Sequence, residues 1–148
     1  MGNIKYALLG ATGAVGKALA AKLAERNQPF RVVGRSEERL RQDFRVYEPL
    51  VEYCTANLSD ATAAARAAAG VDTIFYTVGV PYPQFEQHPK LTRVALQAAA
   101  AARVRHFVHL TQVRHDTVER PANSFRISLS DGKVCTTFGI GFQPFWNV

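Results

Sequence analysis

The chain is poor in cysteine. Among its 148 residues there are two, Cys54 and Cys135, with one tryptophan and one methionine. Neither cysteine belongs to a CxxC, and no histidine pair has metal-ligand spacing, so no metal site is expected. Two cysteines without a secretory signal are expected to be free thiols rather than a disulfide. The first ten residues lack the long apolar region and cleavage site of a signal peptide. No apolar run reaches the ~20 residues that a bilayer requires. These absences predict a cytoplasmic chain with no membrane partner. Blocks of like charge are missing too. The formal charge of +6 comes mostly from scattered arginines, which argues against a nucleic-acid stripe but leaves a field that attracts a phosphorylated small molecule. There is no internal repeat.

What is present is an alternation. Ile4 to Leu9 is a short β-favouring run that stops at Gly10, the pattern of a strand buried on both faces. From Ala14 to Arg26 the apolar positions Val15, Leu19 and Leu23 recur every four residues, with alanine filling the gaps, which predicts a helix. "FRVVGRS" (Phe30 to Ser36) reads as a second strand, and Ser36 as the cap of a following helix with Glu37 and Glu38 in its first turn. Val51 to Thr55 is a third strand, followed by a cap at Ser59 or Asp60 and an alanine helix ended by Gly70. "VDTIFYTVGV" is a fourth strand, broken by Pro81 and Pro83. A helix from about Pro89 to Arg103 places Leu91, Val94, Ala95 and Ala98 on one face, and "VRHFVHLTQV" is a fifth strand.

Strands and helices in turn predict right-handed crossovers and a doubly wound parallel sheet, a three-layer α/β/α Rossmann-like fold of about five strands. Residues 1–113 form that domain. Residues 114–148 lack a helical period. Within them "SFRISLSDGKVCTTF" alternates on both sides of Asp131-Gly132, so the tail is either irregular or a β-hairpin. With the parallel sheet ending at the fifth strand, an unpaired edge would invite self-association.

The stretch "GATGAVG" (Gly10 to Gly16) joins the first strand to the first helix. Gly10 permits the sharp turn, Gly13 lets the backbone approach a pyrophosphate, and Gly16 lets helix and strand pack closely. The amides at the helix start, around Ala14 and Val15, would face the phosphates. About twenty residues on, where an NAD site places an acid, the sequence reads Gly34, Arg35, Ser36. An arginine there takes a 2′-phosphate as a charge-assisted fork, and Ser36 adds a hydroxyl donor, which favours NADP over NAD.

With these residues the chain resembles the extended or atypical short-chain dehydrogenase/reductase superfamily, in its epimerase/dehydratase and NmrA-like branch. "GATGAVG" is similar to its nucleotide turn and "GRS" to its NADP-selecting strand end. "ANLSD" (Ala56 to Asp60) resembles the adenine-contacting segment, with Asn57-Leu58 where the family usually has Asp-Leu. "VDTIFYTVGV" resembles the fourth strand, and "ALQAAAAARVRHFVHLT" the fourth crossover helix and fifth strand. The likeness runs over residues 3–113. It implies a dinucleotide cofactor held by Gly10, Thr12, Gly13, Ala14, Val15 and Gly16 at the pyrophosphate and by Arg35 and Ser36 at the 2′-phosphate. It further implies Asn57 and Leu58 at the adenine and Val78 and Gly79 at the nicotinamide ribose, with an unidentified small-molecule substrate. Thr111 falls where the family has the Ser or Thr that binds the substrate carbonyl.

The family's tyrosine–lysine pair, in which the lysine lowers the tyrosine pKa for acid/base work, has no counterpart. Tyr6, Tyr47, Tyr53, Tyr76 and Tyr82 each lack a lysine four residues on, and all precede Thr111. Thr111 alone cannot supply an acid, so the expectation is NADP(H) binding with weak or no catalysis. Two alternatives stay open. One is a non-catalytic redox-sensing regulatory module. The other is a truncated or frameshifted product, since the likeness stops near Val113 and the family's chains run to about twice this length. His106 and His109, three apart on a strand, are expected on opposite faces. Cys54 is expected to be a small core residue.

Overall fold

A computed structural model describes residues 4–112, 127–129 and 133–140. Five strands, β1 (Tyr6–Leu9), β2 (Phe30–Gly34), β3 (Val51–Thr55), β4 (Thr73–Tyr76) and β5 (His106–Gln112), form a parallel array in the order β3-β2-β1-β4-β5. Four helices connect them: α1 (Ala14–Glu25), α2 (Glu37–Phe44), α3 (Ala61–Ala68) and α4 (His88–Ala101). The expected Rossmann-like α/β sheet is therefore present, and it does not close on itself. Strand β1 lies inside the array because β2 and β4 pair with its two edges, Leu9 opposite Val33 on one side and Tyr76 on the other.

Beyond β5 the tail adds two strands. β6 (Ile127–Leu129) pairs antiparallel with β7 (Lys133–Ile140), and β7 runs parallel to β5. The outer edge of β5, expected to be bare, is thus paired by the chain's own tail, and β6 is the edge. The Asp131-Gly132 turn, Cys135's side chain and Val113 lie outside what is described.

Local chemistry explains the helix ends. The Ser36 hydroxyl oxygen accepts from the Arg39 amide at 3.3 Å, so Ser36 caps α2. Of the two candidate caps for α3, Asp60 takes the role, accepting from Thr62 N at 2.8 Å. Gly70 turns the chain after α3 at φ +72°. The C-terminal carbonyls of that helix are met by Arg31 of β2. Its guanidinium pairs with Glu52, the register partner on β3, and donates to the carbonyls of Ala67 at 2.9 Å and Ala69 at 2.8 Å. A cation at the negative end of the helix dipole satisfies carbonyls that have no partner within the helix.

The sheet separates two cores. On the α1/α2 side Leu8, Phe30, Val32, Leu40 and Phe44 are fully buried. On the α3/α4 side the helices contribute alanines, among them Ala63, Ala64, Ala67, Ala95 and Ala99, against Leu9, Val33, Ile74, Tyr76 and Phe107. Two helix faces differ from the sequence reading. Val15 is exposed, and α1 buries Gly16 and Ala20 instead. In α4 the buried positions are Thr92, Ala95, Ala98 and Ala99, while Leu91 and Val94 are half-buried. Thr92 tolerates burial because its hydroxyl donates back to the His88 carbonyl at 2.9 Å. Cys54 is a free, half-buried thiol on β3, and burial pushes its pKa up.

Candidate functional site

A cleft of about 520 Å³ opens at the carboxyl ends of β1, β2 and β4, the place where open α/β sheets bind ligands. Its floor is the glycine turn. Gly10 has φ +83°, and a Cβ there would lie 2.8 Å from the backbone of Thr77 and Val78, so only glycine fits. Gly16 is buried against the same turn, and its Cβ would stand 2.6 Å from the Ala11 Cα. These two glycines hold the turn against β4 and α1, as the sequence predicts. Gly13 differs in kind. A Cβ there would meet only the Gly10 oxygen at 3.5 Å, an ordinary contact. Packing within the described residues leaves room for a side chain at that position. Gly13 also caps α1 with extended backbone and no side-chain acceptor. The first amides of the helix, at Ala14 and Val15, therefore suit an anion.

The sequence did not point to Thr77, which fastens the turn to β4. Its amide donates to the Leu9 carbonyl at 2.8 Å, and its hydroxyl lies 3.1 Å from the same oxygen and 3.3 Å from that of Gly10.

Other walls come from four loops. Gly34 ends β2, Arg35 follows it, and Arg39 joins them from the first turn of α2. Arg39 was legible only indirectly. Once Ser36 is the cap, a residue three positions on lies in the first turn, on the same end of the helix as Arg35. Ser36 itself does not line the cleft, because its oxygen is committed to the cap. Asn57 and Leu58 form the wall after β3, where the Asn57 Oδ1 accepts from the Ser59 amide at 3.2 Å and hydroxyl at 2.9 Å. Val78 and Gly79 follow β4, and Gln84, Gln87 and Leu91 close the far side from the 3-10 turn Tyr82–Gln87 and the start of α4. Gly10, Thr12, Gly13, Arg35, Asn57, Leu58, Val78 and Gly79 are thus brought together on one cavity. Ala14 and Val15 open α1 beside it, Gly16 sits beneath it, and Thr111 lies on β5.

Among the described residues no carboxylate lines the cleft. Glu37 and Glu38 stand nearby in sequence, but neither reaches it, and Glu37 is paired with Arg41 at 2.9 Å. Among the described residues no cluster of His, Cys, Asp or Glu could hold a metal ion, and no helix is long and apolar enough to cross a membrane.

This strand order, with a glycine turn and a cleft at the strand ends, defines a Rossmann-like dinucleotide-binding fold. Comparison with known proteins agrees. Residues 10–131 match the model of the NAD(P)H-binding family, and the chain belongs to that family. It is 40% identical over 112 residues to a (4-alkanoyl-5-oxo-2,5-dihydrofuran-3-yl)methyl phosphate reductase of Streptomyces griseus, a match over 76% of this chain and 35% of that protein. Among solved structures it superposes on a nucleoside-diphosphate-sugar epimerase from Staphylococcus aureus with TM-score 0.64 at 21% identity, covering 76% of this chain and 40% of the other. It also superposes on vestitone reductase from alfalfa with TM-score 0.62 at 19% identity, covering 73% and 36%. The chain spans about a third of the length of the curated relative, and it carries the NAD(P)H-binding domain that such proteins share.

Proposed function

We propose that the cleft binds NADP(H) in preference to NAD(H). The observation that carries this reading is the pair Arg35 and Arg39 on the wall after β2, in a cleft that no carboxylate lines among the described residues. An NAD site uses an acid at that position to hold the ribose diol, and an acid would repel a 2′-phosphate. Two guanidinium groups suit the phosphate instead. In this reading the pyrophosphate lies over Gly10, Thr12, Gly13, Ala14 and Val15, with Gly16 supporting the turn. Ser36 supports the 2′-phosphate site through its cap. Asn57 and Leu58 border the adenine, and Val78 and Gly79 the nicotinamide ribose.

The test is a titration with NADPH and NADH followed by fluorescence and thermal stability. Saturable NADPH binding is expected to weaken by about 10- to 100-fold in Arg35→Ala, the loss of one charge-assisted contact, with NADH affected little. Equal affinity for the two nucleotides in the unaltered protein would sink the preference.

For the whole protein the Streptomyces griseus relative suggests a reductase acting on a small molecule, with Thr111 at the substrate oxygen. The absence of a tyrosine–lysine pair from the sequence favours a second reading, in which the domain holds the nucleotide without turnover and reports its redox state to a partner. A reductase assay with carbonyl compounds separates the two. The strand edge at β6 is where a second copy would add, and the cofactor reading places the chain with the cytoplasmic NADP(H) pool.

A further inference from the structure

Three residues behind the α4 wall of the cleft converge on a histidine of β5. Tyr76 ends β4 and is fully buried, and His109 is its register partner. His88 begins α4 and Thr92 follows one turn later. The two imidazoles stack with centroids 5.7 Å apart and planes 18° from parallel. The Tyr76 ring meets them edge-on, at 5.2 Å from His109 and 6.1 Å from His88. Thr92 Oγ1 lies 3.3 Å from the Tyr76 hydroxyl and 3.5 Å from His88 Nδ1. The Nε2 of His109 is buried and has no hydrogen-bond partner among the described residues. Tyr76, His88 and Thr92 are each adjacent in the chain to a cleft-lining residue, respectively Thr77, Gln87 and Leu91.

The surroundings are hostile to a proton. Among the described side chains, Tyr76 from β4 and His88 from α4 face His109, and Thr92 of α4 reaches both of those; the register partner on β7 is Thr137. None of these residues is a carboxylate. A charge on His109 would be desolvated, and a second charge on His88 would repel it across the stack. One ring belongs to the helix and the other to the sheet, so the repulsion is relieved by moving the first turn of α4 off β5. Gln87 and Leu91 would move with that turn.

We propose that the His88–His109 stack is a proton-operated latch between α4 and the sheet: neutral, it holds the α4 wall of the cleft in place; protonated, it releases that wall and weakens nucleotide binding. The coupling to the nucleotide rests on the cofactor reading above. Burial, and then the neighbouring His88, hold the His109 pKa below the ordinary histidine value, so His109 is neutral at neutral pH.

Binding of NADP+, which tolerates acid, should be measured from about pH 8 to about pH 5.5, the range in which histidine titrates, in the unaltered protein, His109→Gln and His88→Gln. On acidification the unaltered protein should lose about tenfold more affinity than either variant, the consequence of one linked proton. Ionisation of the ligand's phosphate is common to all three proteins and cancels in the comparison. Parallel pH curves would overturn the coupling. Amide hydrogen exchange over the first turn of α4, in ligand-free protein and corrected for the chemical exchange rate, reads the latch alone. Protection should fall in acid in the unaltered protein and persist in His109→Gln; protection indifferent to pH would overturn the latch. Failure of NADP+ to bind at any pH would remove the cofactor reading, while exchange still decides the latch. Should His109→Gln not fold, His88→Gln carries both comparisons.

Discussion

The two faces of the sheet are filled by opposite means. Between the sheet and α1/α2, large side chains such as Phe30, Leu40 and Phe44 are fully buried. Between the sheet and α3/α4, the helices bring alanine, and the polar side chains of Arg31, Tyr76, Thr92 and His109 enter this layer. Alanine lets a helix lie close to its neighbours but leaves polar groups in the layer to find partners there. Arg31 finds a carboxylate and three carbonyls. Among the described residues, His109 Nε2 has no partner. The first face fixes the fold, and the second carries the groups that respond to conditions.

That contrast can be broken in three ways. Phe44→Ala removes a fully buried ring from the large-residue face. It should cost about 3–5 kcal/mol in urea unfolding, from lost burial plus an unfilled cavity. A cost below 1 kcal/mol, the size of a surface change, would show that this face is not the anchor. Ala67→Leu adds volume to the alanine face, where Ala67 is fully buried, and should cost about 1–3 kcal/mol by overpacking. Tolerance of leucine there would show that the helix approach is not close. The smallest effect is on pH. Because the folded protein holds the His109 pKa below the ordinary value of 6.5, the unfolded chain takes up the proton first. Stability is then full above that value, declines as pH falls below it, and levels once the folded state also protonates. Thermal unfolding of ligand-free protein should show this decline, and His109→Gln should flatten it.

Much of this was legible in the sequence because it is local. Strand β3 runs from Val51 to Thr55 as read, and Ser36 caps α2. The glycine turn needs only a strand before it and a helix after it, both within twenty residues. The faces of α1 and α4 were less legible because alanine-rich helices give weak direction: every side has an apolar methyl. Leu91 could therefore turn towards the cleft while Thr92, satisfied by its own helix, went inside. The contact of His88 with His109 was not legible at all. The two residues are 21 positions apart in sequence, and they meet only because the β4–β5 register sets His109 opposite Tyr76, beneath the first turn of α4. Spacing within the chain, which correctly separated His106 from His109, carries no such information.

The strand order also has a consequence for synthesis. Of the described strands, the first to be made, β1, is an inner strand of the sheet. One edge of β1 finds β2 within about thirty residues, but the other must wait for Thr73–Tyr76. Until then a fully apolar stretch, Ala7, Leu8 and Leu9, has one bare side. A growing chain of this protein therefore passes through an interval in which its most buried strand is its most exposed liability, and β4, the strand that ends that interval, is the same one whose next residue, Thr77, pins the glycine turn.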